Sequence, residues 1–311
     1  MSDSARPLRI AVLGAGGVGA LVAAALAQQF PAETFLLARG ENLAAIREQG
    51  IRVESVKLGD FVARPALVSD HAADIGPVDV VILACKGHQL EEACRTVAPL
   101  LREETVVLPL LNGVMVSEMI APLLPPCVVA DGTIHVFSAL TAPGQVRQTA
   151  GLCAIALGHA DGRRPPVFDA LAARLTACGL PTTVSQDIRV DSWVKYVIMC
   201  GNSTIFCHYD APAGTVREQA GFETVVRAVS GELLAVAAAL GVALPEGLGQ
   251  RHFDEFLAMP PATVTSLYRD LRAGKPAAAT ELAHVIGRLV TLGEAAGVDT
   301  PYHRGALTKW Q

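Results

Sequence analysis

Two regimes of apolar patterning divide the chain. In the first, short apolar runs alternate with helical periods. Ile10-Ala11-Val12-Leu13 is the opening run and Thr34-Phe35-Leu36-Leu37-Ala38 the second. Val78 to Ala84, interrupted only by Asp79, and Val106 to Leu111 follow. Unbroken runs of this length, bounded by turn residues, predict strands covered on both faces, as in a parallel sheet flanked by helices. An Ala-rich stretch from about Val18 to Gln28, the amphipathic segment Leu90 to Leu101 and residues 166–178 predict helices between them. Ile51-Arg52-Val53 and Phe61-Val62-Ala63 predict short strands of an excursion. Val128 to Ser138 and Leu152 to Leu157 predict further strands, with Pro143-Gly144 turning between them, and Thr182-Thr183-Val184 a last short one. After about residue 186 the strand-like runs stop. Long helical periods cover 188–206, 217–240, 262–273 and 279–296, with Gly241, Gly274 and Gly297 at C-cap positions. The pattern predicts an α/β parallel-sheet domain over 1–186, an all-helical domain over 187–311 and a substrate in the cleft between them.

The turn after the first strand carries chemistry. Gly14-Ala15-Gly16-Gly17-Val18-Gly19 fits G-x-G-x-x-G between a strand and a helix, and a second strand follows on schedule. In that context Gly14 permits the tight turn, Gly16 lets the backbone approach a pyrophosphate, and Gly19 lets helix and strand pack closely. The free N–H groups of the helix start attract the phosphates. The first domain is therefore read as Rossmann-type, with Gly14 to Gly19 holding a dinucleotide; the competing reading is a Gly-rich turn without a ligand. An NAD-selective site places an acid near the end of the second strand, where this chain has Ala38 and Arg39. A guanidinium there suits a 2′-phosphate, so NADP(H) is the expected cofactor, against the alternative of a solvated surface arginine. Glu33 and Glu41 flank the strand at the wrong points to supply the missing acid.

Composition narrows the class. The 311 residues suffice for two domains, and a formal charge of −5 without a basic run leaves no nucleic-acid footprint. Seven cysteines form no C-x-x-C pair and read as buried thiols of a reducing cytoplasm. Residues 10–27 are apolar enough to imitate a signal peptide or membrane span. They are mostly Ala, Gly and Val, the glycine turn breaks them, and Arg6 and Arg9 make a thin basic flank, so a cytoplasmic, membrane-free protein is expected. Glu281 and His284 have an i, i+3 spacing that suits a metal, but no second pair exists and no metal is expected. A homodimer is compatible with the helical half, though no residue decides it.

Several polar residues stand where a cofactor site belongs. Lys86 and Asn112 end predicted strands, where ligands of open parallel sheets gather; they are candidates for the nicotinamide half or substrate, or ordinary loop residues. Lys195 lies in the apolar helical stretch Ser192 to Cys200, sharing a face with Met199 and Asn202. Such a lysine snorkels out, pairs with a carboxylate or loses proton affinity, and the last two outcomes make a general acid for ketone reduction. Glu281 opens the last long helical period, as a helix-end charge or as the partner of Lys195. Ser266 follows Thr265 in a short helix, and hydroxyls there bind a carboxylate or bond back to the helix.

Taken together, the chain resembles the ketopantoate reductase (2-dehydropantoate 2-reductase) family over nearly its whole length. The resemblance runs from Gly14–Gly19 and Arg39 through Lys86, Asn112-Gly113 and Trp193-Val194-Lys195. It continues in Ser266 to Leu271, Arg272 to Pro276, Thr280-Glu281 and Ala296 to Pro301. It implies NADPH-dependent reduction of 2-dehydropantoate to pantoate, a step of pantothenate biosynthesis. Lys195 would be the general acid and Glu281 would bridge the cofactor and the reacting oxygen. Asn112 would touch cofactor and substrate, Lys86 the cofactor, and Ser266 the substrate's carboxylate. The stretch Gly132 to Ser138 would pass close to the nicotinamide. Met199 and Ser203 stand where the family usually has asparagines, with Asn202 one position off, so Asn202 and Ser203 are the polar substrate candidates left on that helix. Thr263 replaces another asparagine, and Ala283 and Ile286 replace an Asp and an Asn. A hydroxyl-binding site loses discrimination when its partners become apolar. Two alternatives therefore stand beside ketopantoate: another 2-keto acid, and a dinucleotide-binding regulator without catalysis.

Overall fold

The computed structural model describes residues 7–311. The described residues separate into two compact units. One comprises the chain to Cys85, Gln89–Leu111 and Met115–Ile188; the other comprises Lys86–His88, Asn112–Val114 and Arg189–Gln311. The short loops that follow the third and fourth apolar runs thus cluster with the helical residues.

The first unit contains, in chain order, β1 (Ile10–Leu13), α1 (Gly17–Gln29), β2 (Thr34–Leu37), α2 (Gly40–Gln49), β3 (Ile51–Ser55) and β4 (Phe61–Ala63). There follow β5 (Leu67–Ser69), α3 (Ala72–Ile75), β6 (Val80–Leu83), α4 (Leu90–Val97), β7 (Val106–Pro109) and α5 (Val116–Ile120). Then come β8 (Val128–Val129), β9 (Asp131–Ala142), β10 (Gln145–Gly158), α6 (Pro166–Ala177) and β11 (Thr182–Val184). Six strands make an all-parallel sheet in the order β5-β2-β1-β6-β7-β8. β1, β2, β6 and β7 are buried at every residue, as their uninterrupted apolar runs require. The strand order reverses between β1 and β6, the switch point where such sheets bind ligands.

The other five strands lie outside the parallel sheet that the unbroken apolar runs predict. They form a second, mixed sheet, β11-β10-β3-β4, with β9 antiparallel to β10. A turn as short as Pro143-Gly144 can only join antiparallel neighbours, so the hairpin cannot enter a parallel sheet. It is also longer than the apolar runs suggest, because polar residues such as Gln148 pair within it. α1 packs against strands of both sheets and against α6. That explains why Gly19 to Ala27 are buried all round and why the helix is built from small apolar residues instead of one apolar stripe. Arg9 belongs to this unit's framework, its guanidinium donating to the carbonyls of Ile75 (2.6 Å) and Pro77 (3.1 Å). Arg6 lies outside the described residues.

The helical unit contains α7 (Ile188–Tyr209, beginning at the unit boundary), α8 (Ala213–Arg217), α9 (Phe222–Ala239) and α10 (Leu248–Ala258). α11 (Ser266–Arg272), α12 (Arg288–Ala296) and α13 (Pro301–Trp310) complete it. Trp193, Tyr196, Val197, Cys200, Ile205 and Phe206 of α7 are fully buried. Gly241, Gly274 and Gly297 lie at left-handed φ beyond their helices, and the expected helix over 217–240 breaks before Gly221, also left-handed. The expected helix over 279–296 divides into a 3₁₀ turn at Ala277–Ala279, a π-helical turn at Ala283–Gly287 and α12. The apolar pattern does not predict α2, α3, α5, α8, α10 or α13. α13 starts on a buried device from elsewhere: Glu232 of α9 accepts the backbone N–H groups of Tyr302 (2.8 Å) and His303 (3.2 Å). No helix among the described residues is long and apolar enough to cross a membrane, and all seven cysteines are free thiols.

Candidate active site

The glycine turn is built as its spacing requires. Gly14 has φ of 105°, and a Cβ there would lie 2.7 Å from the carbonyl oxygen of Ala84, at the end of β6. A Cβ on Gly19 would collide with the carbonyl oxygen of Gly14, and one on Gly17 with that of Ser138 on β9. Gly16, the residue that caps α1, is different: it is extended, and a Cβ there would meet nothing within 4 Å. Open space thus lies above the residue at which a pyrophosphate would approach the backbone, beside the helix N–H groups. Ala15 is buried and Val18 packs on the core, which fixes the turn. The Ser138 hydroxyl is buried without a partner beside Gly17. These features fit a dinucleotide.

Arg39 caps α2 and is 57% exposed. Its guanidinium reaches Glu92 (2.5 Å) and the Thr96 hydroxyl (3.1 Å) on α4, an exposed pair of small energetic weight. It borders an open groove of about 410 Å³ whose walls include Asn42 and Thr141.

In the helical unit, residues remote in sequence converge. The Lys195 ammonium donates to Oδ1 of Asn112 (3.4 Å), whose Nδ2 donates to Oε2 of Glu281 (3.2 Å). The same carboxylate oxygen lies 3.5 Å from Nζ of Lys86, and Lys86 is 4.0 Å from Asp270, which also binds Lys275 (2.7 Å). Only one orientation of the Asn112 amide serves both neighbours, because an ammonium only donates and a carboxylate only accepts. Asn112 therefore stands between the lysine and the glutamate proposed as direct partners. Glu281 is 4% exposed. Its position is fixed by Thr280, whose hydroxyl accepts the Leu282 N–H (3.2 Å), and by the π turn that follows. That turn leaves the Val285 carbonyl to α7, where Tyr196 donates to it (2.6 Å). Adjacent residues of one helix thus present the ammonium and anchor the turn carrying the carboxylate.

Burial pushes the Lys195 ammonium down from 10.5 to about 8, with the Glu281 charge acting in the opposite direction. An ammonium that parts with its proton near neutral pH and is held in place by an amide is a competent proton donor.

The remaining candidates lie apart from this chain of contacts. Asn202 is buried, its Oδ1 3.0 Å from Nε2 of His252, whose Nδ1 is 2.8 Å from the Ser230 hydroxyl. Burial lowers His252 to about 4, so the ring is neutral; Nε2–H donates to Oδ1 of Asn202, and Nδ1 faces the Ser230 hydroxyl, which also lies 2.9 Å from the Val226 carbonyl. Ser203 is buried and donates back to the Met199 carbonyl (2.9 Å). Ser266 is the exposed first residue of α11, behind Thr265, the N-cap. Met199 is half-buried on the helix face one turn beyond Lys195. The sequence gives Asp270 no role of its own within the Ser266 to Leu271 stretch, and it offers His284 only through the i, i+3 spacing from Glu281 that suits a metal.

Known proteins resemble the chain over nearly its whole length. The family model described as ketopantoate reductase PanE/ApbA matches residues 10–162, and that of its C-terminal part matches residues 187–309. The chain is 28% identical to a 2-dehydropantoate 2-reductase of Mesorhizobium japonicum, over 94% of each chain. It is 26% identical to the uncharacterized oxidoreductase YkpB of Bacillus subtilis, over 94% of this chain and 95% of that one. The crystal structure of a PanE/ApbA family ketopantoate reductase from Ralstonia eutropha JMP134 superposes with a TM-score of 0.86 at 28% identity, covering 97% of this chain and 96% of that one. With both halves matched and the whole fold shared, the chain belongs to the ketopantoate reductase family of oxidoreductases.

Proposed function

We propose that the protein reduces a small 2-keto acid with NADPH, ketopantoate being the first substrate to test. The observation that carries this reading is the Lys195 ammonium, depressed to about 8 and held by an amide that also meets Glu281. Bound NADPH supplies the hydride that reaches the keto carbon. Lys195 gives its proton to the oxygen of the former carbonyl, leaving a 2-hydroxy acid and a neutral amine that recovers a proton from water. Asn112 keeps the ammonium aimed, and Glu281 keeps Asn112 from turning. Gly14 to Gly19, with Ser138 beside them, hold the pyrophosphate half. Arg39 holds the 2′-phosphate after giving up Glu92, and Lys86 adds a second cation toward the cofactor. The exposed Ser266 hydroxyl receives the substrate's carboxylate.

A second reading, a 2-keto acid with an apolar substituent, is favoured by the helix face beyond Lys195. Ile198 and Met199 are half-buried there, while Asn202 and Ser203 spend their polar groups on His252 and the helix backbone. Purified protein assayed for NADPH oxidation against a panel of 2-keto acids separates the two readings. Fastest turnover on ketopantoate supports the first, and faster turnover on branched or aromatic keto acids the second. Lys195→Ala should lose roughly 10²–10⁴-fold in turnover while binding NADPH normally. Absence of turnover on every keto acid would leave only a non-catalytic dinucleotide-binding protein.

A further inference from the structure

His284 lies three residues beyond Glu281, inside the π turn, and is 7% exposed. Two glycines meet its ring, and each directly follows a polar residue of the site. A Cβ added to Gly87, next to Lys86, would collide with the imidazole at Cγ. A Cβ added to Gly113, next to Asn112, would come 2.6 Å from Nε2. The ring therefore fills the space that side chains at both positions would need. Its Nε2 is buried without a partner, and a hydrogen bond to the Asn112 backbone ties the ring to the second of these loops. Burial lowers its proton affinity against the opposing pull of the Glu281 carboxylate and the Asn112 backbone, and so favours an uncharged ring beside loops that already carry the Lys86 ammonium.

We infer that His284 is a positioning residue, its imidazole the common floor on which the Lys86 loop and the Asn112 loop are seated. Through it the π turn fixes three groups at once: Glu281 directly, and Lys86 and Asn112 by contact with the glycines behind them. The inference rests on Lys195 as the proton donor, because Asn112 matters to turnover only through that lysine.

The test compares His284→Ala with Val229→Ala, a cavity variant in the core of α9, and adds Gly87→Ala alone and in the His284→Ala background. Loosened loops reduce aim, and His284→Ala is expected to lower kcat roughly tenfold or more, since small misplacements have large effects on rate. It should also weaken NADPH binding severalfold through Lys86. The pH midpoint of turnover should move upward as water reaches the Lys195 ammonium, because burial is the main cause of its depression. Val229→Ala should lower the melting temperature but leave the midpoint in place. Gly87→Ala should be damaging alone and much less so beside His284→Ala, a non-additivity expected only of groups in contact. An unchanged pH midpoint with unchanged kcat in His284→Ala would overturn the inference, as would simple additivity of the two substitutions. Full turnover in Lys195→Ala would instead remove the reading on which it rests, so the two failures are distinguishable.

Discussion

Replacing Lys195 by methionine tests the site and the energetics together. The ammonium falls from 10.5 to about 8 because burial strips water from it faster than Glu281 compensates. At about 1.4 kcal/mol per tenfold change in proton affinity, the drop corresponds to about 3 kcal/mol held against the charged form. Two consequences follow with opposite faces. In catalysis, the proton donor is about nine-tenths charged at pH 7 and about one-tenth charged at pH 9, so kcat/KM for reduction should fall toward tenfold per pH unit above about 8, while the reverse oxidation rises over the same range. In stability, the folded lysine releases its proton near 8 and the unfolded one near 10.5, so between these values the unfolded chain binds more protons and stability rises with pH. Lys195→Met, which has no proton to desolvate, should therefore be more stable than the parent by up to about 3 kcal/mol at pH 7. That advantage should shrink to nothing as pH passes 10.5, the ordinary lysine value. Steady-state rates from pH 6 to 10 and urea unfolding of both proteins across the same range read the two effects. Reduction rates that stay level through pH 9.5, together with equal stability of the two proteins at pH 7, would refute the reasoning.

Gly16→Ala should leave the melting temperature unchanged, since its Cβ meets nothing, yet weaken NADPH binding roughly tenfold or more by titration calorimetry. Gly19→Ala, whose Cβ strikes the Gly14 carbonyl, should instead lose about 1–3 kcal/mol of stability in urea unfolding or fail to fold. Arg39→Ala should raise the NADPH dissociation constant at least several-fold and leave NADH alone, whereas Glu92→Gln, freeing the guanidinium, should tighten NADPH; fluorescence titration with both cofactors reads the difference. Glu232→Ala removes the buried acceptor of Tyr302, His303 and the His303 ring, and should destabilise the protein by about 3 kcal/mol in denaturant titration.

What was legible in the sequence follows from what acts locally. β1, β2, β6 and β7 are covered on both faces, so continuous apolar runs betray them without any tertiary knowledge. The glycine turn is readable because each glycine answers to backbone geometry within a few residues, and Lys195 is readable because a cation in an apolar helical stretch must be accounted for. The second sheet was not legible: β3 and β10 pair in parallel across ninety residues, and nothing within either strand names its partner. α13 was missed because its start is satisfied by Glu232, far away on α9, instead of by a capping side chain of its own. Asn202 is a substrate candidate through its place one position from a family asparagine, and its contact with His252, fifty residues away, is a product of packing that no spacing announces.

The same reasoning explains why the site's partners were harder to read than its donor. Asn112 and Lys195 are separated by 83 positions and Asn112 and Glu281 by 169, so their geometry is a product of packing, not of spacing. The helical unit gathers an ammonium depressed by burial, a nearly inaccessible carboxylate and a buried imidazole with one nitrogen unpaired. Each is unfavourable to folding alone, and a core of Trp193, Tyr196, Phe206 and Phe256 surrounded by aliphatic side chains offsets them. Buried polar groups also occur elsewhere in the unit, at Glu232, His252 and His303, but there they pair with each other or with neighbours in closed contacts instead of joining two lysines to one carboxylate. The π turn belongs to the same site. It loosens a regular helix next to Glu281 and at His284, and Tyr196, one residue from Lys195, satisfies the Val285 carbonyl within it.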